Sequence, residues 1–177
     1  LKPIIFTFFS WVLLTLSCFG QTPTLRVKNL NNTRMCDQFS GSDFAAKVNA
    51  CITDLPSTGG VADARGLLGS QSASTTITIS KQVILMLPVG TITSTASPAI
   101  NVTAGGSVIS GAGGGSTKII FNPTANATAI KWKASTAIPI VYGAIRGLTL
   151  DATGDTSHVK VGIQAIDASE LEISDVT

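Results

Sequence analysis

The sequence predicts an all-β chain wound as a solenoid of stacked coils, with one amphipathic helix on its amino-terminal side. Three observations predict it. From residue 61 to 177, Thr, Val and Ile supply 39 of 117 residues, against three aromatics. Side chains branched at Cβ are stiff and fit the pleated face of a strand. The apolar stretches there are short and separated by Gly, Ser, Asn and Pro, which specifies strands rather than helices. Segments also echo one another: IRGLTLDA (145–152) is answered by LEISDVT (171–177) at an offset of 23, setting Leu148 against Leu171 and Leu150 against Ile173. TAIKWKA (128–134) is answered more loosely by VGIQAID (161–167). Self-similarity at such a period belongs to stacked repeats, whereas a sandwich would hold more aromatic bulk between its sheets.

The elements follow in order. Residues 1–20 read as a secretory signal: Lys2, an apolar run from Ile4 to Leu16, then Cys18 and Gly20 as small residues before a cut. A lipoprotein signal anchored on Cys18 is the alternative. The mature chain is then secreted or held at the cell surface, with no membrane contact once the signal is removed. Residues 21–41 are a polar amino-terminal loop segment. Residues 42–55 read as a helix, with Ser42 or Asp43 as cap and Phe44, Val48, Cys51, Ile52 and Leu55 as one apolar stripe. Pro56 and Gly59–Gly60 end it. Strands are expected near 76–79, 83–87, 100–102, 107–110, 117–121, 128–133, 138–142, 145–150, 161–166 and 170–174.

Composition narrows the function. A net charge of +2 in 177 residues makes no electrostatic case for nucleic acid. Cys36 and Cys51 are disulfide candidates in an oxidising compartment, two free buried thiols being the alternative. With a single histidine, His158, no Cys/His metal cluster is expected. GAGGGSTK (111–118) lacks the Gly-Lys-Ser/Thr spacing of a phosphate loop and runs into a strand, so it reads as a turn. Sequons begin at Asn31, Asn101 and Asn126.

Read together, CDQFSGSDFAAKVNACITDLPSTGGVADARGL (36–67), TITI (76–79), VILMLPVGTIT (83–93) and VISGAGGGSTKIIF (108–121) resemble the start of bacterial proteins in the pectate-lyase superfamily. The resemblance covers about residues 36–177. Its specific part is the order: a helix ending in DLPSTGG, a strand with DARG, a strand ending in PVGT, and a Gly-rich turn before STKIIF. It implies a right-handed parallel β-helix related to the polygalacturonase and rhamnogalacturonase folds. The 42–55 helix then caps the first coil, and Gly90, Gly111 and Gly113–Gly115 turn corners. Some five coils fit at about 23 residues each. The chain stops at Thr177 without a polar capping repeat, so residues 42–177 read as the cap and first coils of a truncated β-helix, a short protein capped by a partner or by dimerisation being the alternative.

The resemblance also implies polysaccharide as partner and, in a complete enzyme, a polysaccharide lyase or glycoside hydrolase. Ca²⁺ enters only through the resemblance. The aspartate groups that do this chemistry lie on central coils, so no catalytic residue is carried over and this chain is expected to be inactive. Six of the ten acids fall late, at Asp151, Asp155, Asp167, Glu170, Glu172 and Asp175, and read as solvated turn and edge residues. Between Arg65 and Leu150 there is no acid, while Arg65, Lys81, Lys118, Lys131, Lys133 and Arg146 are basic, a balance suited to a polyanion. Lys131 and Lys133 flank Trp132, whose ring can stack on a sugar; these three are the candidate substrate-binding residues. The competing reading packs Trp132 inward and leaves the lysines solvated. A non-catalytic adhesin or structural β-helix module is the competing function.

Overall fold

The computed structural model describes residues 32–121, 126–133, 140–153 and 158–177. The expected signal, Asn31 and Asp155 lie outside the described residues. The chain opens with β1 (Thr33–Met35), a single 3-10 turn (Cys36–Gln38) and α1 (Phe44–Asp54). Then come β2 (Gly60–Asp63), β3 (Gln71–Ala73) and β4 (Ile77–Ile79), followed by β5 (Val83–Met86), β6 (Gly90–Ser94) and β7 (Ile100–Val102). A third set is β8 (Ser107–Ser110), β9 (Thr117–Phe121) and β10 (Ala127–Lys133). The last is β11 (Ile140–Asp151), β12 (Lys160–Ile166) and β13 (Ala168–Val176).

Every strand pairing is parallel, and the pairings make three ladders. The first runs β1-β2-β5-β8-β11-β13, the second β3-β6-β9 and then the far half of β11, the third β4-β7-β10-β12. The chain therefore visits the ladders in one fixed order and returns to the first. The parallel sheets curl into a half-barrel. Inside lie Ala62, Leu85, Ile109 and Ile145 from the first ladder, with Ile77, Ile100 and Ile130 from the third. Alternation along each strand puts the intervening residues outside.

Each of the ten expected strand regions holds a strand among its described residues, residues 138 and 139 lying outside them, but the boundaries change. Residues 140–142 and 145–150 belong to one strand, β11, bent at Gly147 as it passes from the first ladder to the second. Strands β1, β2, β3 and β6 are additional to the ten, though the resemblance expects a strand with DARG (63–66) and Asp63 is the last residue of β2. They are short and polar, so their partners a round away define them more than their own residues do. Gly90, Gly113 and Gly115 take positive φ, whereas Gly111 and Gly114 do not.

The echoes fare differently. TAIKWKA and VGIQAID are true partners, since Thr128 pairs Val161 and Lys133 pairs Ile166. IRGLTLDA and LEISDVT are neighbours at a different register. Ile145 pairs Ile173 and Leu148 pairs Val176, 28 residues apart rather than 23. Gly147 and Asp175 both adopt positive φ between those paired positions, which interrupts the alternation at the same level in both strands and fixes the register.

α1 lies over the beginning of the stack, packing against β1, β2, β3 and β4. Its buried residues Phe44, Ala45, Val48, Cys51 and Ile52 form the expected stripe. Asp43 is the cap: its Oδ1 accepts from Ala46 N at 2.8 Å. Cys36 and Cys51 are joined by a disulfide, with Cα atoms 5.1 Å apart, tying α1 to the end of β1. No helix among the described residues is long and apolar enough to cross a membrane.

Candidate functional site

The expected substrate-binding trio separates. Trp132 is 1% exposed and belongs to the interior. Its ring occupies the space a side chain at Gly143 would need, since a Cβ there would lie 2.3 Å from Trp132 Cζ2. The ring face offers nothing to a sugar, which corrects the stacking expectation: inward alternation in β10 put the one large aromatic of that strand into the core. Lys131 and Lys133 stay on the outer face, Lys131 half-buried and Lys133 exposed. Lys131 stands in a polar outward row with Thr78, Asn101 and Gln164.

The acid-free, basic middle of the sequence does not become one cationic face. Arg65 is held by Asp63, with Nε to Oδ1 at 2.9 Å and a terminal nitrogen to Oδ2 at 2.7 Å. That hydrogen-bonded pairing keeps the Asp63 carboxyl below the usual carboxylate range although burial opposes it. Lys81 donates to Leu55 O at 2.7 Å and Thr53 O at 3.2 Å, neutralising the carboxyl end of α1. Lys118 pairs with Asp151 at 3.0 Å. Of the remaining cations, Lys131 and Lys133 lie on the third ladder and Arg146 on the first.

A groove of about 280 Å³ opens where the chain enters the first ladder. Its floor is the outward row Val61, Ile84 and Val108, aligned across β2, β5 and β8. Its polar rim is Asn32, Thr58 and Gln82, all exposed. Among the described residues these three side chains spend no hydrogen bond on the protein. Glycines 59, 60 and 106 complete the lining. The Gln82 side chain lies over Gly106, where a Cβ would come 2.6 Å from its Nε2. Backbone bonds stitch the corner together: Gly60 N donates to Gln82 O at 2.9 Å and Gly106 N to Tyr142 O at 2.8 Å. The lining carries no titratable side chain, so it can bind by apolar contact and neutral hydrogen bonds but has no acid or base to move a proton.

Sequence reasoning missed this groove. The signal was present in the residues leading into first-ladder strands, GGVAD (59–63), QVILM (82–86), GSVIS (106–110) and YGAIR (142–146). Only the correct register stacks them. Among the described residues no three Asp, Glu, His or Cys side chains converge, which does not fit a Ca²⁺ site. A scan against protein-family models and searches of curated proteins and of solved structures found no match to this chain.

Proposed function

We propose that this chain is an exported right-handed parallel β-helix, related to the pectate-lyase superfamily, that binds polysaccharide without cleaving it. The observation that carries the binding reading is the groove beside Gln82, with an apolar floor, an amide and hydroxyl rim with unspent hydrogen-bonding capacity, and no titratable group. Sugar rings present this combination of C–H faces and hydroxyls. The β-helix reading is supported by three parallel ladders visited in fixed order and by the strong preference of parallel crossover connections for the right hand. Export is supported by the Cys36–Cys51 disulfide, a bond that persists in oxidising compartments.

Calorimetric titration of the mature protein against a panel of oligosaccharides tests the function. Gln82→Ala should weaken binding by roughly 2- to 10-fold, the range expected for one net neutral hydrogen bond. No reducing ends and no unsaturated ultraviolet-absorbing product should appear on long incubation. Product release, or a panel with no ligand at all, would refute the proposal.

A further inference from the structure

Tyr142 occupies the next step of the column that builds the groove. Gly59, Gln82 and Gly106 immediately precede the paired residues Gly60, Val83 and Ser107, and Tyr142 precedes Gly143, the partner of Ser107. From Gln82 to Tyr142 is two coil steps, about 10 Å. Gly106 stands between them, and its missing side chain lets the Gln82 amide lie along the column toward Tyr142. The tyrosine is 62% exposed, and its hydroxyl makes no hydrogen bond among the described residues.

Its backbone is the second observation. Gly59 and Gly106 take φ of 91° and 70° in this column, Tyr142 takes 60° and Glu170 takes 56°, so the corner recurs and Tyr142 is the aromatic it carries. That region suits glycine and is uncommon for a bulky side chain. Here it belongs to a solvent-facing aromatic one coil step beyond Gly106, the last residue of this column to line the groove.

Charge then selects the ligand class. The column continues from Tyr142 to Glu170, and the groove-floor row continues through Ala144 to Glu172. Both acids are exposed. Arg146 stands on the adjacent outward row of β11. A polyanion leaving the groove along either line meets a carboxylate.

Resting on the polysaccharide reading above, we infer that the groove takes a neutral glycan, with Tyr142 as the platform on which one sugar ring stacks. The test is calorimetry with a neutral xylo-oligosaccharide, a neutral chito-oligosaccharide and polygalacturonate, each at two salt concentrations. At least one neutral ligand should bind with little salt dependence. Tyr142→Ala should weaken it at least about fivefold, and Tyr142→Phe, which keeps the ring, should restore most of the affinity. Tyr142→Gly should lose binding while raising the melting temperature, because it relieves the backbone. That opposite movement of affinity and stability is one a purely structural tyrosine would not give. Unchanged neutral-glycan binding in Tyr142→Ala overturns the stacking role. Salt-sensitive polygalacturonate binding without neutral binding overturns the ligand class but leaves the polysaccharide reading standing. Binding of none of the three by a folded protein overturns the inference.

Discussion

Asp151 gathers three donors around one carboxylate. Thr153 donates through its hydroxyl at 2.6 Å and its N–H at 2.8 Å to Oδ1, and Lys118 donates at 3.0 Å to Oδ2. The Thr153 hydroxyl, then its N–H, then Lys118 bring the pKa from the usual 3.8 down to about 2. A carboxyl depressed on folding adds stability above its unfolded pKa and loses it as the pH falls through the folded value. The melting temperature should therefore drop between about pH 4 and pH 2, and Asp151→Asn should flatten that slope in a series of thermal melts. The sequence showed Asp151 as one late acid among six; its partner Lys118 lies 33 residues upstream and becomes a neighbour only through the pairing of β9 with β11.

At the scale of the element, α1 works as a lid with hydrogen bonds of its own. Asn49 donates to Thr76 O and accepts from Thr78 N, both at 2.9 Å, so one side-chain amide stands in for a neighbouring strand along the outer edge of β4. Asp43 caps the helix and also accepts from Ser74 N at 2.7 Å, beside β3. Burial opposes ionisation of Asp43, but the hydrogen bonds from Ser74 and Ala46 outweigh it and hold the carboxyl below its ordinary value. Exposed strand edges template aggregation, and α1 covers this one. Asn49→Ala should cost about 1–3 kcal/mol in denaturant unfolding, by leaving the β4 edge unpaired, and should speed aggregation seen by light scattering. If the variant stays as stable and as monodisperse as the parent, the edge-pairing role is wrong. The apolar stripe of α1 was legible at its spacing of three and four; the roles of Asn49 and Asp43 on strands 25 or more residues away were not.

Across the whole molecule, the disulfide and Trp132, the one tryptophan among the described residues, report on the same assembly. The Cys36–Cys51 bond closes a 15-residue separation and ties the lid to the first ladder. In the chain-entropy account it contributes about 3 kcal/mol. Reduction should lower the denaturant midpoint accordingly, followed through the emission of Trp132, which should be blue-shifted when folded because its ring is enclosed. Equal midpoints with and without reductant would show that the lid is held by packing alone. Trp132 also links the ladders, since its ring from the third fills the place left by Gly143 in the first.

The sequence by itself determined the all-β composition, the one helix with its buried stripe and a cap at Ser42 or Asp43, most of the strands, and the pairing of residues 128–133 with 161–166. These are local properties: branching at Cβ, alternation and helical spacing act within a few residues. Only the tertiary structure decided that Trp132 faces inward, that β11 is one bent strand, that Ile145 meets Ile173, and that Gly59, Gln82, Gly106 and Tyr142 form a column. Each depends on how many residues a loop spends before the chain returns to the ladder. Loop length barely changes the free energy of closure, so it leaves almost no mark in the residues themselves.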